Sequence, residues 1–307
     1  MGKWMEIALE VPDEVVDALQ EVMGQFASGG AVVEKIIPES ELLGLEPTKA
    51  IVKVYIPWNR QGLLRKKRLE EALWHFSTIV PIPSPSIRYW EEGEWLEAWK
   101  KFYTVLHIGE RLVVKPSWED YTPLPGEVVV ELDPGLAFGT GLHPSTRLCL
   151  IAMEQLLKPG ERVLDVGTGS GILALFAAKL GAKEVLALDI DRMAVKVAKE
   201  NVARNGLRGK IKVRWGSLIP TEESPFIDVS ALRPFGLVLA NITAPVIKSM
   251  ARELSAALAP DGLLIVSGII QVQKEQTLEA LSSHGLQPER ELSSQEWVAL
   301  ILRKSNL

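Results

Sequence analysis

Cysteine is nearly missing from this sequence of 307 residues, since Cys149 is the single one. One cysteine excludes an internal disulfide framework and a cysteine-rich zinc site, and the four histidines are too scattered to suggest a metal site. No apolar run reaches the length of a membrane-spanning helix, and the N-terminus lacks the basic-then-apolar pattern of a secretion signal. We therefore expect a cytoplasmic protein with no metal and no membrane partner.

An excess of positive charge is also missing, because the net charge is −5 at pH 7. This value argues against a protein that coats nucleic acid through bulk electrostatics, while it leaves room for a basic partner. We expect no stable nucleic-acid binding, and we expect a monomer. The apolar share of 47% supports packed cores, and the length is comfortable for two domains.

The first ninety residues alternate short strand and helix patterns in the order strand–helix–strand–strand–helix–strand. That order predicts a ferredoxin-like α+β domain over residues 1–90. Trp95 and Trp99 follow, four residues apart on one face of a predicted linker helix over 91–105, where they can simply hold two domains together. The second predicted domain covers 106–307.

Strands alternate with helices from residue 161 to 283, a pattern typical of an α/β fold with right-handed crossovers. One long helix is predicted over 244–258. Two closing strands near 286–292 and 296–302 predict an antiparallel hairpin at the sheet edge. We therefore predict a Rossmann-like, seven-stranded, mostly parallel sheet.

A glycine loop, "DVGTGSG" at 165–171, follows the first strand of this pattern and opens a helix. Gly167 and Gly169 let the backbone amides come close to a ligand. Asp189 ends the next strand, where an acid accepts hydrogen bonds from both ribose hydroxyls of a nucleotide. The glycines follow G-x-G-x-G rather than the dinucleotide spacing G-x-G-x-x-G, which favours a ligand without a pyrophosphate, such as S-adenosylmethionine. The alternative is that the glycines only allow close helix–strand packing.

The fourth strand of the pattern ends in "LVLANITAPV", which places Asn241 at the carboxyl edge of the sheet. There it can accept N–H bonds from an incoming amine and orient the nitrogen lone pair, so Asn241 is the catalytic candidate. The alternative interpretation is a helix N-cap, and the two roles are compatible.

A second glycine loop, "DPGLAFGTGLHPST" at 133–146, precedes the first strand of the pattern. Pro144 suits the first turn of the helix that follows, and Ser145 or Thr146 can cap its free amides. Phe138 can cover a flat or apolar part of a ligand, while Thr146 bonds its polar end. An ordinary capped loop remains the alternative.

At these residues the chain resembles a known family. The segments "LDPGLAFGTGLHPSTRLCL", "VLDVGTGSGILA", "LALDID" and "VLANI" are similar to the methyltransferases of large-subunit ribosomal protein eleven. The resemblance implies a class I methyltransferase with S-adenosylmethionine as cofactor, held by Thr146, Gly167, Asp189 and Asn241. It also implies that the first domain recognises the ribosomal protein, whose lysine and N-terminal amines receive the methyl groups.

Two other functions stay open at this point. One is a class I methyltransferase acting on a nucleic acid or a small molecule, although "ANIT" differs from the Asn-Pro-Pro-aromatic motif of many adenine methylases. The other is a nucleotide-binding module without activity. The basic run at 65–68 fits the solvated side of a helix better than an RNA contact, His143 is a poor candidate base, and the polar insert at 217–233 has no assigned role.

Overall fold

A computed structural model describes residues 3–27, 31–36, 49–91, 104–133, 141–221 and 224–305. The chain divides into two compact units, Met1–Tyr103 and Thr104–Leu307. Most of the predicted linker helix, with Trp95 and Trp99, lies outside the described residues, and so does Phe138. The domain bounds drawn from the sequence therefore stay a prediction. Among the helices described, none has both the length and the apolar character needed to span a membrane.

The first unit is a four-stranded antiparallel sheet with two helices, in the strand order β2-β3-β1-β4. This arrangement confirms the predicted ferredoxin-like fold. The helices bury Leu19 and Leu69 against alternate residues of the central strand, such as Ile7. Its elements are β1 (Lys3–Pro12), α1 (Asp13–Gly24), β2 (Ala31–Ile36), β3 (Lys49–Pro57), α2 (Arg60–Ser77) and β4 (Ser86–Glu91).

The second unit contains a seven-stranded sheet flanked by helices, together with a separate three-stranded sheet. The small sheet consists of β5 (Leu106–Ile108), β6 (Leu112–Lys115) and β7 (Val128–Glu131). The helices are α3 (Pro144–Leu156), α4 (Ile172–Lys179), α5 (Arg192–Arg204), α6 (Ala244–Ser249), α7 (Ala251–Ala257) and α8 (Lys274–Ser282). The large sheet is built from β8 (Arg162–Val166), β9 (Glu184–Asp189), β10 (Ile211–Trp215), β11 (Phe235–Asn241), β12 (Leu258–Ile270), β13 (Leu286–Ser294) and β14 (Trp297–Lys304).

The large sheet has the order β10-β9-β8-β11-β12-β14-β13. Its first five strands are parallel, while β14 runs antiparallel to both of its neighbours. The predicted Rossmann-like sheet with a closing hairpin is therefore confirmed. The strand order reverses between β8 and β11, and the crevice outside the carboxyl ends at such a switch point is where α/β sheets bind ligands.

The strands β6 and β7 pair in parallel with each other and bury Val114 and Val130 against the same core as α3. One local feature differs from the prediction. The helix predicted over 244–258 is broken at Met250, whose backbone lies at φ −104° and ψ 5°. Ile247 of α6 and Leu254 of α7 both pack into the core on one face of the sheet.

Candidate functional site

The carboxyl ends of three parallel strands lie side by side in the middle of the large sheet. In the register of these strands, Val166 of β8 is opposite Leu188 of β9 and Ala240 of β11. The residues that follow these three positions are Gly167, Asp189 and Asn241. The register thus brings three of the predicted site residues to one edge.

The site residues also share one face of the sheet. Side chains of a strand alternate between faces with a period of two. In β11, Leu237 and Leu239 pack on the face covered by α3 and α4, whereas Val238 and Ala240 pack on the opposite face. Asn241 continues the first series, and the same alternation puts Asp165 and Asp189 on that face too. The acids and the amide therefore lie beneath the start of α3 rather than beneath α6.

The loop between β8 and α4 depends on glycine at three positions. Gly167, Gly169 and Gly171 have φ values of +73°, +56° and +87°, in the left-handed region that other residues rarely adopt. A Cβ on Gly167 would lie 2.3 Å from Cγ2 of Ile242, which follows Asn241. The amides of Gly167 and Thr168 both donate to the carbonyl of Leu188, at 2.9 Å each. These bonds tie the loop to the end of β9.

The Asp189 carboxylate is held by two backbone donors. Its Oδ2 accepts from the Gly169 amide at 2.8 Å, and its Oδ1 accepts from the Asp191 amide at 2.9 Å. Burial raises the pKa of Asp189, and the backbone hydrogen bonds act in the opposite direction. Since each carboxylate oxygen can accept more than one hydrogen bond, both retain capacity for ligand hydroxyls.

The Asn241 side chain contacts the helix that begins after the other glycine loop. Its Nδ2 donates to Thr146 Oγ1 at 3.0 Å, and Thr146 is fully buried. The Asn241 Oδ1 is buried and has no hydrogen-bond partner among the residues that the structure describes. The N-cap of α6 is Thr243, so the alternative interpretation of Asn241 as the N-cap of that helix is wrong.

Asp165 is a member of the site that sequence reasoning passed over. It is fully buried, and its Oδ2 accepts from Thr168 Oγ1 at 2.5 Å, while its Oδ1 has no partner within the described part of the chain. Burial raises the pKa of Asp165 to about 7, the charge of Asp189 adds to the rise, and the Thr168 hydrogen bond opposes it. The signal in the sequence is the position of this acid two residues before the first glycine, although the sequence analysis assigned it no role.

The start of α3 differs from its predicted capping. Pro144 does occupy the first turn, but the N-cap is His143, whose side chain accepts from the Ser145 amide. Ser145 and Thr146 are therefore not the caps, because the Ser145 hydroxyl bonds to His143 Nδ1 at 2.7 Å and Thr146 bonds to Asn241. Burial lowers the pKa of His143, and its ring stands edge-on to Trp297. These contacts give His143 a structural role.

The residues at this edge suit a nucleoside that carries N–H donors. Asp189 can accept hydrogen bonds from ribose hydroxyls, and the glycines of the loop have no side chains that would obstruct a ligand. Among the described residues, three buried side-chain polar atoms lack a partner, and two of them are Asp165 Oδ1 and Asn241 Oδ1. Buried acceptors without partners are costly in a folded protein, so their concentration here indicates a place that a ligand completes.

The strand order, the glycine loop after β8 and the acid after β9 together define a Rossmann-like domain of the class I methyltransferase type. Comparison with known proteins narrows this class. The model of the family described as "Ribosomal protein L11 methyltransferase (PrmA)" matches residues 3–305. The chain belongs to this ribosomal protein L11 methyltransferase family.

Individual relatives agree over nearly the full length. A protein of Chloroflexus aurantiacus named ribosomal protein L11 methyltransferase is 43% identical over 321 residues, with 98% of each chain covered. A protein of Pelotomaculum thermopropionicum with the same name is 40% identical, with 98% of this chain and 99% of that one covered. The crystal structure of a ribosomal protein L11 methylase from Lactobacillus delbrueckii subsp. bulgaricus is 32% identical with a TM-score of 0.56, over 67% of this chain and 100% of that chain. The resemblance seen in the sequence is confirmed.

Proposed function

We propose that this protein transfers methyl groups from S-adenosylmethionine to lysine side-chain and N-terminal amines of ribosomal protein L11, in the cytoplasm. The observation that carries this proposal is the placement of Asn241 Oδ1 at the same edge of the sheet as the glycine loop and Asp189, as an acceptor that no described residue bonds. The names of the relatives support the choice of substrate.

The cofactor would be held by residues from two segments. Asp189 would accept from the ribose hydroxyls, and the backbone around Gly167 and Gly169 would lie along the ligand. Thr146 would contribute from the start of α3, and Phe138, outside the described residues, would cover the ligand from the preceding loop. When bound, S-adenosylmethionine supplies a methyl group on a positively charged sulfur, which a neutral amine can attack without acid assistance.

The chain's own task is to present a neutral, oriented amine. A lysine free in water has a pKa of about 10.4, so only about one in a few thousand is neutral at pH 7. Removal from water lowers that pKa. The Asn241 oxygen would accept one N–H of the amine, because its own Nδ2 is engaged by Thr146. Rate enhancement would then come mainly from alignment, and no general base is assigned.

The first unit would recognise the ribosomal protein. It is a small fold with its own apolar core and its own four-stranded sheet. A separate recognition domain suits a protein substrate, whose surface extends well beyond the amine that reacts. We assign substrate recognition to this unit for that reason.

The test is transfer of tritiated methyl groups from S-adenosylmethionine to purified ribosomal protein L11. The wild-type chain should label the protein, and Asn241→Ala should lower kcat by roughly 10²–10³-fold, the cost of removing one positioned hydrogen-bonding group from an active site. Thr243→Ala is the matched control, since this exposed residue two positions away makes no side-chain cap hydrogen bond. The control should label the protein at the wild-type rate.

Two outcomes would overturn parts of the proposal. Labelling of RNA or a small amine, with none of the ribosomal protein, would favour the alternative methyltransferase. Tight binding of S-adenosylhomocysteine by calorimetry, with no transfer to any amine, would favour a binding module without activity.

A further inference from the structure

One segment of the catalytic unit carries a charge opposite to that of the chain. Residues 192–215, which cover α5 and β10, contain eight lysines and arginines and one acid, Glu200. The segment therefore has a net charge of +7, whereas the whole chain has −5 and its remainder −12. Arg204 and Lys212 pair with acids outside the segment, and the other six cations leave a local positive potential that the overall charge does not reveal.

Several of these cations line one open groove between α5 and β10. The groove encloses about 660 Å³, and Glu200 is the one acid among the described residues that line it. Within the part of the chain that the structure describes, no carboxylate pairs with Arg192, Lys199 or Arg208, and Lys196 reaches Glu200 only at 4.0 Å. The basic groove is defined by Arg192, Lys196, Lys199, Arg208 and Trp215.

The basic groove also contains a flat aromatic platform. Trp215 is fixed by a hydrogen bond from its Nε1 to the Ile190 carbonyl at 2.9 Å. The guanidinium of Arg192 lies 3.5 Å from the centroid of the indole ring. Both an indole and a guanidinium plane are surfaces on which nucleic-acid bases stack.

We propose that the basic groove binds a single strand of RNA through its phosphates. A positive groove combined with a stacking platform is the arrangement by which proteins hold single strands without reading their sequence. On α5, Arg192, Lys196 and Lys199 extend over about 10 Å of helix, at 1.5 Å per residue. Together with Arg208, these side chains offer four cations to the phosphates of one strand.

Other polyanions fit the groove less well. A lipid surface is flat and would reach a concave row of cations only in part, and an acidic peptide gains nothing from the Arg192 and Trp215 stack. The contact with RNA would be weak and sensitive to salt, which qualifies the expectation of no stable nucleic-acid binding. Since the basic groove lies outside the set of residues assigned to methyl transfer, this inference goes beyond the proposed function.

The test uses the full chain and a fluorescein-labelled RNA of about twenty nucleotides, followed by fluorescence anisotropy across salt concentrations. Neutralising about four phosphates of a single strand predicts a log–log salt slope of about −2.8, so affinity should fall about fiftyfold from 50 to 200 mM salt. The variant Lys196→Gln/Lys199→Gln/Arg208→Gln should reduce the slope to about −0.7. It should melt at the wild-type temperature, because these residues are exposed.

A second triple variant controls for charge alone. Lys158→Gln/Lys183→Gln/Arg252→Gln removes the same charge from exposed positions elsewhere in the catalytic unit and should retain the wild-type slope. The inference is overturned if the groove variant binds RNA as the wild type does, or if both variants lose affinity equally. Tighter groove-dependent binding to phosphatidylserine vesicles or polyglutamate than to RNA would also overturn it. Methyl transfer to free ribosomal protein L11, measured in parallel, should be equal for both variants, so failure of one proposal does not affect the other.

Discussion

The exchange of Asp189 for asparagine tests how the site would hold a nucleoside. The two carboxylate oxygens accept from different backbone amides, those of Gly169 and Asp191, at 2.8 and 2.9 Å. An asparagine amide has only one oxygen, so its nitrogen must face one of these N–H groups, donor against donor. The variant loses one backbone bond and the ligand contact on that same side.

The expected loss in affinity follows from these bonds. A hydrogen bond to a charged group contributes about 1.5–3 kcal/mol. Loss of one such contact to the ribose should weaken binding about 10- to 150-fold. Titration calorimetry with S-adenosylhomocysteine measures the dissociation constant directly, because this thioether has no methyl group to transfer and the signal comes from binding alone.

Asp191→Asn is the matched control. Asp191 caps α5 by accepting from the Met193 amide at 2.8 Å, and asparagine caps helices equally well. The control therefore removes the same charge two residues away and should change affinity less than twofold. If both variants weaken binding alike, the effect is one of charge and not of hydrogen bonding. If Asp189→Asn binds as tightly as the wild type, the ribose does not lie at this carboxylate.

Two further predictions concern the glycine loop and the buried acid. Gly167→Ala should lower the free energy of unfolding by about 2–5 kcal/mol in urea titrations, because the alanine must adopt a left-handed backbone and displace Ile242. Gly160 also has a positive φ but has open space around it, so Gly160→Ala should lower the free energy of unfolding by only about 1–2 kcal/mol. Equal losses would contradict the packing argument. Because burial raises the pKa of Asp165 to about 7 from an ordinary 3.8, the stability it contributes is complete below about pH 4 and is lost as the pH rises through 7. The Tm of Asp165→Asn should therefore rise relative to that of the wild type as the pH increases from 5 to 8. Parallel pH profiles of the two Tm values would refute this.

Much of the fold could be predicted because local patterns and global topology agree. The continuous apolar runs of β8, β9 and β11 indicate strands buried on both faces of a parallel sheet, and Asp165, Asp189 and Asn241 lie where these runs end. Glycine spacing was informative because positive φ at these positions leaves little choice of residue. The strand–helix order of the first unit was likewise sufficient to predict its ferredoxin-like fold.

The remainder depends on contacts between distant segments, which local patterns do not contain. His143 caps α3 although two better-known capping residues follow it, and its ring packs against Trp297, which is distant in the sequence. The amide of Asn241 is oriented by Thr146, ninety-five residues earlier in the chain. The break at Met250 and the separate sheet of β5 to β7 have no signal in the periodicity of the sequence.

The position of the site can be argued from the cost of its parts alone. A buried carboxyl with one oxygen unpartnered, an amide oxygen without a donor and three left-handed glycines each work against stability. All of them occur where β8, β9 and β11 end. Since natural sequences concentrate such departures at functional positions, a nucleoside that brings hydroxyl and N–H donors would relieve at this edge the costs that the folded chain leaves open. The comparisons with relatives then serve to identify the reaction, while the location rests on this physical argument.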